Sequence, residues 1–321
     1  MKIAIIDLGT NTFNLLIADI SAAPHYKILF DTKTPVNLGK DGILKKTISS
    51  DAFERGINAL RNYVETIEKY NVSKKIAIAT SAVRNANNGK DFVKKIKQLF
   101  DLNIQIIDGN KEAELIYYGV KLALDLGSKP LLIMDIGGGS IEFIIADATK
   151  IFWKKSFDIG VSRLLEKFKP SDPISIKEIK LIEEYFSSQL NELFEVIKTY
   201  PVSTLVGSSG SFDTLAELIA HRFYTPEIIE NKTEYSYDLY DYFHIHLQLL
   251  KSTKQERLNF KGMFAMRVDM IVIATIAIYF ILEKCNIKNM RLSTFALKEG
   301  VLWKELYASP PDPLSKREGE E

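Results

Sequence analysis

One short phrase is written twice in this chain. IAIIDLGTNTFNLLIAD, from Ile3 to Asp19, returns as LLIMDIGGGSIEFIIAD from Leu131 to Asp147. In register, Ile5, Asp7, Gly9, Ile17, Ala18 and Asp19 meet the same residue types at Ile133, Asp135, Gly137, Ile145, Ala146 and Asp147. Each copy reads as an apolar strand, an Asp with a Gly/Ser/Thr-rich turn, and a second apolar strand, which is a β-hairpin. A lone hairpin of this kind is an ordinary turn, but a duplicated one makes a pair of tips that can face each other and clamp an anion. Gly9, Thr10, Asn11 and Thr12 in the first tip, and Gly137, Gly138, Gly139 and Ser140 in the second, offer backbone N–H groups and hydroxyls close to the main chain, as phosphate requires. Asp7 and Asp135 are placed to anchor a hydrated divalent cation.

A chain of 321 residues exceeds the size at which single cores stop growing and is expected to divide in two. Its net charge of +1 provides no global field for nucleic acid, so any anion binding must be local. Lys94-Lys95 and Lys154-Lys155 read as solvated faces. The single cysteine, Cys285, excludes an internal disulfide and a Cys-rich zinc site, and suits a reduced cytoplasm. His244 and His246 are two apart, a spacing that does not put both on one helical face, and they read as structural. MKIAIIDLG reaches Asp7 too soon to be a signal peptide. The most apolar run, Met270 to Leu282, is shorter than the roughly 20 residues of a membrane span and reads as a buried helix, so no membrane partner is expected.

The remaining pattern alternates strands and helices, an α/β arrangement with parallel neighbours. A helix is expected from about Ser50 to Tyr70, opened by Ser50 or Asp51, then a strand from Ile76 to Thr80 running into a loop from Ser81 to Arg84. A helix near Lys90–Leu99 and a strand Ile104–Ile107 lead to GNKEAELIYYGVKLAL, read as a loop continuing into a helix. The second half repeats the plan, with a long amphipathic helix from Ile174 to Tyr200, the strand TLVGSSG, a helix after Gly210, the buried helix from Arg267, and a last strand and helix over Met290–Leu306. Arg267 and Asp269 read as an ion pair capping the buried helix. The halves meet near Gly119–Lys129, and residues 308–321, rich in proline and charge, read as a disordered tail.

DLGTNTFNLLIA, ATSAVRNA, GNKEAELIYYGV, DIGGGSIEF and VGSSGSFDTLAEL, in this order, resemble the Ppx/GppA phosphatases, exopolyphosphatases and guanosine pentaphosphate phosphohydrolases. The resemblance implies two actin-like, ribonuclease-H-like domains around a central cleft: residues 1–120, then 121–297, with the helix of about 298–307 packing back on the first. Glu112 stands where the family's proposed catalytic Glu lies, and Glu142 matches a second acidic residue that would act in catalysis or join Asp7 and Asp135 on Mg²⁺ or another divalent cation. Arg84 matches a family arginine suited to phosphate oxygens, and Gly207, Ser208, Ser209, Gly210 and Ser211 resemble a third phosphate loop. Taken without the resemblance, Glu112 reads as a first-turn helix residue, Glu142 as an exposed strand residue and Arg84 as a surface ion-pair partner. Ser208 and Ser209 have no His placed to activate them as nucleophiles.

The chain departs from the family pattern at Thr10 and Thr12, where many members have Ser, in the GSSGS loop, at Lys298, where Arg is frequent, and at Ala274, where Gly is. The resemblance implies metal-assisted attack of water on the terminal phosphate of polyphosphate or guanosine pentaphosphate. A non-catalytic regulator binding the same ligands and an actin-like kinase for a small acceptor are the rival readings, and the sequence leaves a homodimer open.

Overall fold

The computed structural model describes residues 1–307, so the expected tail lies outside the described residues. In the first half, β1 (Lys2–Leu8), β2 (Thr12–Asp19) and β3 (Lys27–Pro35) form an antiparallel meander, and α1 (Ser50–Lys69) leads to β4 (Lys74–Ala79). Then follow α2 (Ser81–Asn85), α3 (Gly89–Phe100), β5 (Ile104–Ile106) and α4 (Gly109–Ala123). The sheet order is β3-β2-β1-β4-β5, with β4 and β5 parallel to β1. The second half has β6 (Leu131–Ile136), β7 (Ile141–Ala146) and β8 (Ile151–Phe157) as another meander, then α5 (Val161–Phe168), α6 (Ile176–Gln189), α7 (Asn191–Thr199), β9 (Thr204–Ser208) and α8 (Gly210–Phe223). β10 (Glu234–Tyr237), α9 (Leu239–Lys251), α10 (Lys254–Leu258), α11 (Ile271–Lys284), β11 (Asn289–Ser293) and α12 (Leu297–Tyr307) complete it. Its order is β10-β11-β9-β6-β7-β8, so the two sheets share one plan, a three-stranded meander extended by two parallel strands, to which the second adds β10 as an antiparallel edge.

The plan follows from burial. β6 is buried at every position and β1 at all but its first, as central strands covered on both faces must be. β3, at an edge, carries Lys27, Asp31, Lys33 and Pro35, the polar and N–H-free residues that blunt an edge. One core lies on the outer face of each sheet. A third joins the halves: Ile3 and Ile5 of the first sheet and Ile133 and Ile144 of the second pack with Tyr117 and Val120 of α4 and Leu302 of α12. A Cβ on Gly119 would lie 1.9 Å from the Ala296 carbonyl oxygen, and one on Gly300 1.7 Å from that of Leu115. Only glycine lets α4 and α12 approach this closely.

Several local expectations are revised. α1 is capped by Ser49, whose Oγ accepts from Ala52 N–H, one residue earlier than read. Ser81–Arg84 is a short helix, not a loop. α4 is helical from Gly109, because Asp108 caps it and accepts from Lys111 N–H at 2.8 Å. The long helix over Ile174–Tyr200 is two helices joined at Leu190, whose buried side chain anchors the break. The buried helix begins at Ile271, with a single 3-10 turn, Ala265–Arg267, before it. α11 is buried nearly all round, which explains the apolar run. No helix among the described residues is long and apolar enough to cross a membrane. His246 is buried against Thr275 Oγ1 at 3.0 Å, and burial holds its ring down to about 4; His244 packs on Tyr240.

Candidate active site

Asp7 and Asp135 occupy equivalent places near the C-terminal ends of β1 and β6. The strand register then sets a partner opposite each: Asn14 across from Asp7, Glu142 across from Asp135. Both bends close the same way, Gly9 N–H donating to Thr12 O at 3.1 Å and Gly137 N–H to Ser140 O at 3.0 Å. A Cβ at either glycine would come within 3 Å of the acceptor oxygen, so the bend itself demands Gly.

The two bends face each other across one cavity of about 120 Å³. Asn11 reaches over from the first domain: Ser162 Oγ donates to its Oδ1 at 2.7 Å, and its Nδ2 donates to Met270 Sδ at 2.8 Å. Asn11 also lies against Gly138, and Thr10 and Ser81 against Gly139. Asp7, Gly9, Thr10, Asn11, Thr12 and Glu112 from the first half, and Asp135, Gly137, Gly138, Gly139, Ser140, Ser209 and Gly210 from the second, line the cavity.

The acids dominate its electrostatics. Asp7 Oδ2 accepts from Asn14 Nδ2 at 2.8 Å, while its buried Oδ1 has no hydrogen-bond partner among the described residues. Burial pushes the Asp7 carboxyl up to about 7, the Asn14 hydrogen bond opposing and Glu112 and Asp135 adding to the rise. Glu112, on the first turn of α4, accepts from Arg84 Nη1 at 2.8 Å. Burial drives it up to about 7 despite that guanidinium, with Asp135 adding repulsion. Asp135 is raised by burial against the hydrogen bond from Ser208. Glu142, 1% exposed, is raised well above its usual range by burial and by the charges of Glu112 and Asp135, and it accepts from Ser156 Oγ at 2.6 Å.

Some residues singled out in the sequence do not reach the cavity wall. Arg84 does not line the cavity; its Nη1 donates to Glu112 and to the Ile107 carbonyl at 3.0 Å, which holds the acid in place. Glu142 is fully buried beside Asp135 on the neighbouring strand, neither an exposed strand residue nor part of the wall. Gly207 lies under the Phe212 ring, where a Cβ would be 2.0 Å from a ring carbon. Ser208 is fully buried and donates to Asp135 Oδ2 at 2.5 Å, and Ser211 is buried with its Oγ unpartnered. Only Ser209 and Gly210 of that loop line the cavity; Ser209 has φ 71°, a strained conformation for a residue with a side chain.

Other residues were missed. Arg267 does not pair with Asp269, which instead meets Lys254 at 2.8 Å. It is 8% exposed, lies over Gly210, lines the cavity, and has no side-chain hydrogen bond or ion pair among the described residues. Burial lowers the affinity of its guanidinium for its proton, while Asp213 and Asp135 oppose that. Lys33, Asn14, Thr80, Thr294, Lys298 and Glu299 also line the cavity. Lys298 Nζ is held by Asp31 Oδ2 at 2.8 Å and Glu299 Oε1 at 2.6 Å. Asn14 was legible from the repeat, being the counterpart of Glu142, whereas Arg267 follows a long stretch with no local motif.

No three His, Cys, Asp or Glu side chains form a metal-ligand cluster among the described residues. The donors nevertheless suit a hard cation that keeps most of its waters: Asp7 and Asp135 face one cavity, and Asp7 Oδ1 is buried and unpartnered.

Two domains of one plan, closing glycine-rich Asp-led bends on a common cavity, define an actin-like phosphate-handling protein. The chain belongs to the Ppx/GppA phosphatase family, which it matches over residues 16–308. The crystal structure of an exopolyphosphatase from Cytophaga hutchinsonii is 38% identical and superposes with a TM-score of 0.92, covering 97% of this chain and 99% of that one. The Aquifex aeolicus family member is 26% identical with a TM-score of 0.79, covering 96% and 98%. A putative exopolyphosphatase of Haemophilus influenzae is 28% identical over 94% of this chain and 90% of its own length. A bifunctional 3-dehydroquinate synthase/phosphatase of Fusobacterium nucleatum is 31% identical over 87% of this chain, which spans 43% of that protein.

Proposed function

We propose that the protein hydrolyses the terminal phosphoanhydride bond of inorganic polyphosphate. One observation carries the reading: Glu112, buried and with a raised proton affinity, opens onto the cavity that both phosphate bends enclose. A carboxylate titrating near neutrality is suited to orient a water and accept its proton. The N–H groups and hydroxyls of Gly9–Thr12 and Gly137–Ser140, together with Arg267, neutralise the phosphoryl oxygens, which a loose transition state needs more than covalent help. Asp7 and Asp135 would hold Mg²⁺, whose chemistry when bound is to neutralise charge on the leaving phosphate. The exopolyphosphatase descriptions of the Cytophaga and Haemophilus relatives favour the polymer over guanosine pentaphosphate. A reduced cytoplasm suits a chain whose single cysteine, Cys285, is free and buried.

The test is orthophosphate release by purified protein from polyphosphate and from guanosine pentaphosphate, with Mg²⁺ present or chelated. Polyphosphate should give Mg²⁺-dependent release that Glu112→Ala lowers by about 10²–10⁴ while ligand binding persists. Binding without release from either substrate would support a regulator, and release only with an added acceptor would support a kinase.

A further inference from the structure

A row of side chains leads out of the cleft. Across the first sheet, Asp7 of β1 stands opposite Asn14 of β2, and Asn14 stands opposite Lys33 of β3. Side chains in register share a face, and all three line the cavity. β3 is the edge strand, so the row runs outward from the middle of the cleft over two strand spacings, roughly 10 Å. Lys33 is 44% exposed at its outer end, and its one ion-pair partner among the described residues is Asp213 of the other domain, at 3.3 Å. Asp213 lies on the first turn of α8, three residues after Gly210, the glycine that Arg267 covers. Positions i and i+3 are neighbours on a helix, and the charge of Asp213 acts on Arg267 as well. The remaining cation on the wall, Lys298, is already held by Asp31 and Glu299. The cavity, about 120 Å³, has the volume of about four waters at roughly 30 Å³ each. That is room for a terminal phosphoryl group and part of the next, while the rest of a chain must pass the rim.

We propose that Lys33 is a specificity residue that binds the second phosphoryl group of the substrate, and that Asp213 is the internal anion this group displaces. The inference rests on the hydrolytic reading above, which seats the terminal phosphate between the two bends. A partly exposed Lys–Asp pair is worth little, so exchanging it for a phosphoryl oxygen costs little. Orthophosphate or a phosphomonoester can fill the bends but carries no second phosphoryl group to reach Lys33. Such a ligand leaves the Lys33–Asp213 pair in place and binds more weakly, so the site selects phosphoanhydride chains.

Calorimetric titration of orthophosphate and of tripolyphosphate into the full chain, at one Mg²⁺ concentration, tests the assignment. Both side chains are partly exposed, so neither substitution threatens the fold. Lys33→Gln should weaken tripolyphosphate binding by about tenfold, the scale of one hydrogen bond to a charged group, and leave orthophosphate binding unchanged. Asp213→Asn should tighten tripolyphosphate binding, because a competing negative charge is removed. A pair that only clasped the two domains would move both variants in the same direction, so opposite signs identify the exchange. Lys33→Arg, which keeps the charge, should recover most of the affinity. In turnover of tripolyphosphate, Lys33→Gln should raise KM more than it lowers kcat. Unaltered tripolyphosphate affinity in Lys33→Gln, an equal loss for orthophosphate, or weaker binding in Asp213→Asn would overturn the proposal. Opposite signs in a protein that releases nothing from polyphosphate would keep the role of Lys33 and remove the hydrolytic reading instead.

Discussion

Glu112 shows how one buried side chain sets two opposite pH dependences. Its carboxyl sits near 7 because burial penalises the charge more than Arg84 relieves it. Catalysis needs the ionised base, so kcat/KM should rise with pH through the region around 7. Removing the guanidinium with Arg84→Gln should move that rise to higher pH, which a pH–rate profile would reveal; an unmoved profile would show that Arg84 does not tune the acid. Stability runs the other way. A carboxyl whose folded value lies above its unfolded value stabilises fully below the latter and loses that contribution as pH climbs through the former. Metal-free protein should therefore melt lower at about pH 8 than at about pH 5, and Glu112→Gln should lessen the difference, leaving the share that Asp7, Asp135 and Glu142 contribute. Replacing Glu112 should also lower kcat by about 10²–10⁴, the usual contribution of a positioned general base.

At the scale of elements, α4 does two jobs. Its first turn presents Glu112 to the cleft, and its second half packs on α12 through Gly119 and Gly300. The approach is so close that Gly300→Val must push the helices apart. We expect a loss of about 1–3 kcal/mol or more, read from the urea midpoint with the slope unchanged. Because α4 carries the acid, the same substitution should reduce activity beyond what the lost stability explains. The short helix α2 is a related case: it lets Ser81 face the cleft while Arg84, one turn on, reaches Glu112.

For the whole molecule, the contacts across the cleft define a closed arrangement. Asn11 spends both amide atoms on Ser162 and Met270, and Lys33 meets Asp213 at 3.3 Å. The Lys33 pair is partly exposed and of little worth alone, whereas Asn11 is buried and doubly bound. Asn11→Ala should enlarge the radius of gyration measured by X-ray scattering in the absence of ligand; an unchanged radius would mean that the domains are held by other contacts. The sequence by itself determined the two hairpins, because a repeat of strand, Asp, glycine bend and strand is specified by residues that are neighbours in the chain. It likewise carried the buried character of α11 and the body of the helix bearing Glu112, both written in local periodicity, though not the Asp108 cap that makes the first turn of that helix. It did not tell that Arg84 serves Glu112, that Glu142 and Gly207 stay off the cavity wall, or that Arg267, without a side-chain partner among the described residues, lines the cavity. Those assignments depend on which side chains packing excludes from the cleft and which distant segments meet there, and only the closing of two sheets around α4 and α12 decides that.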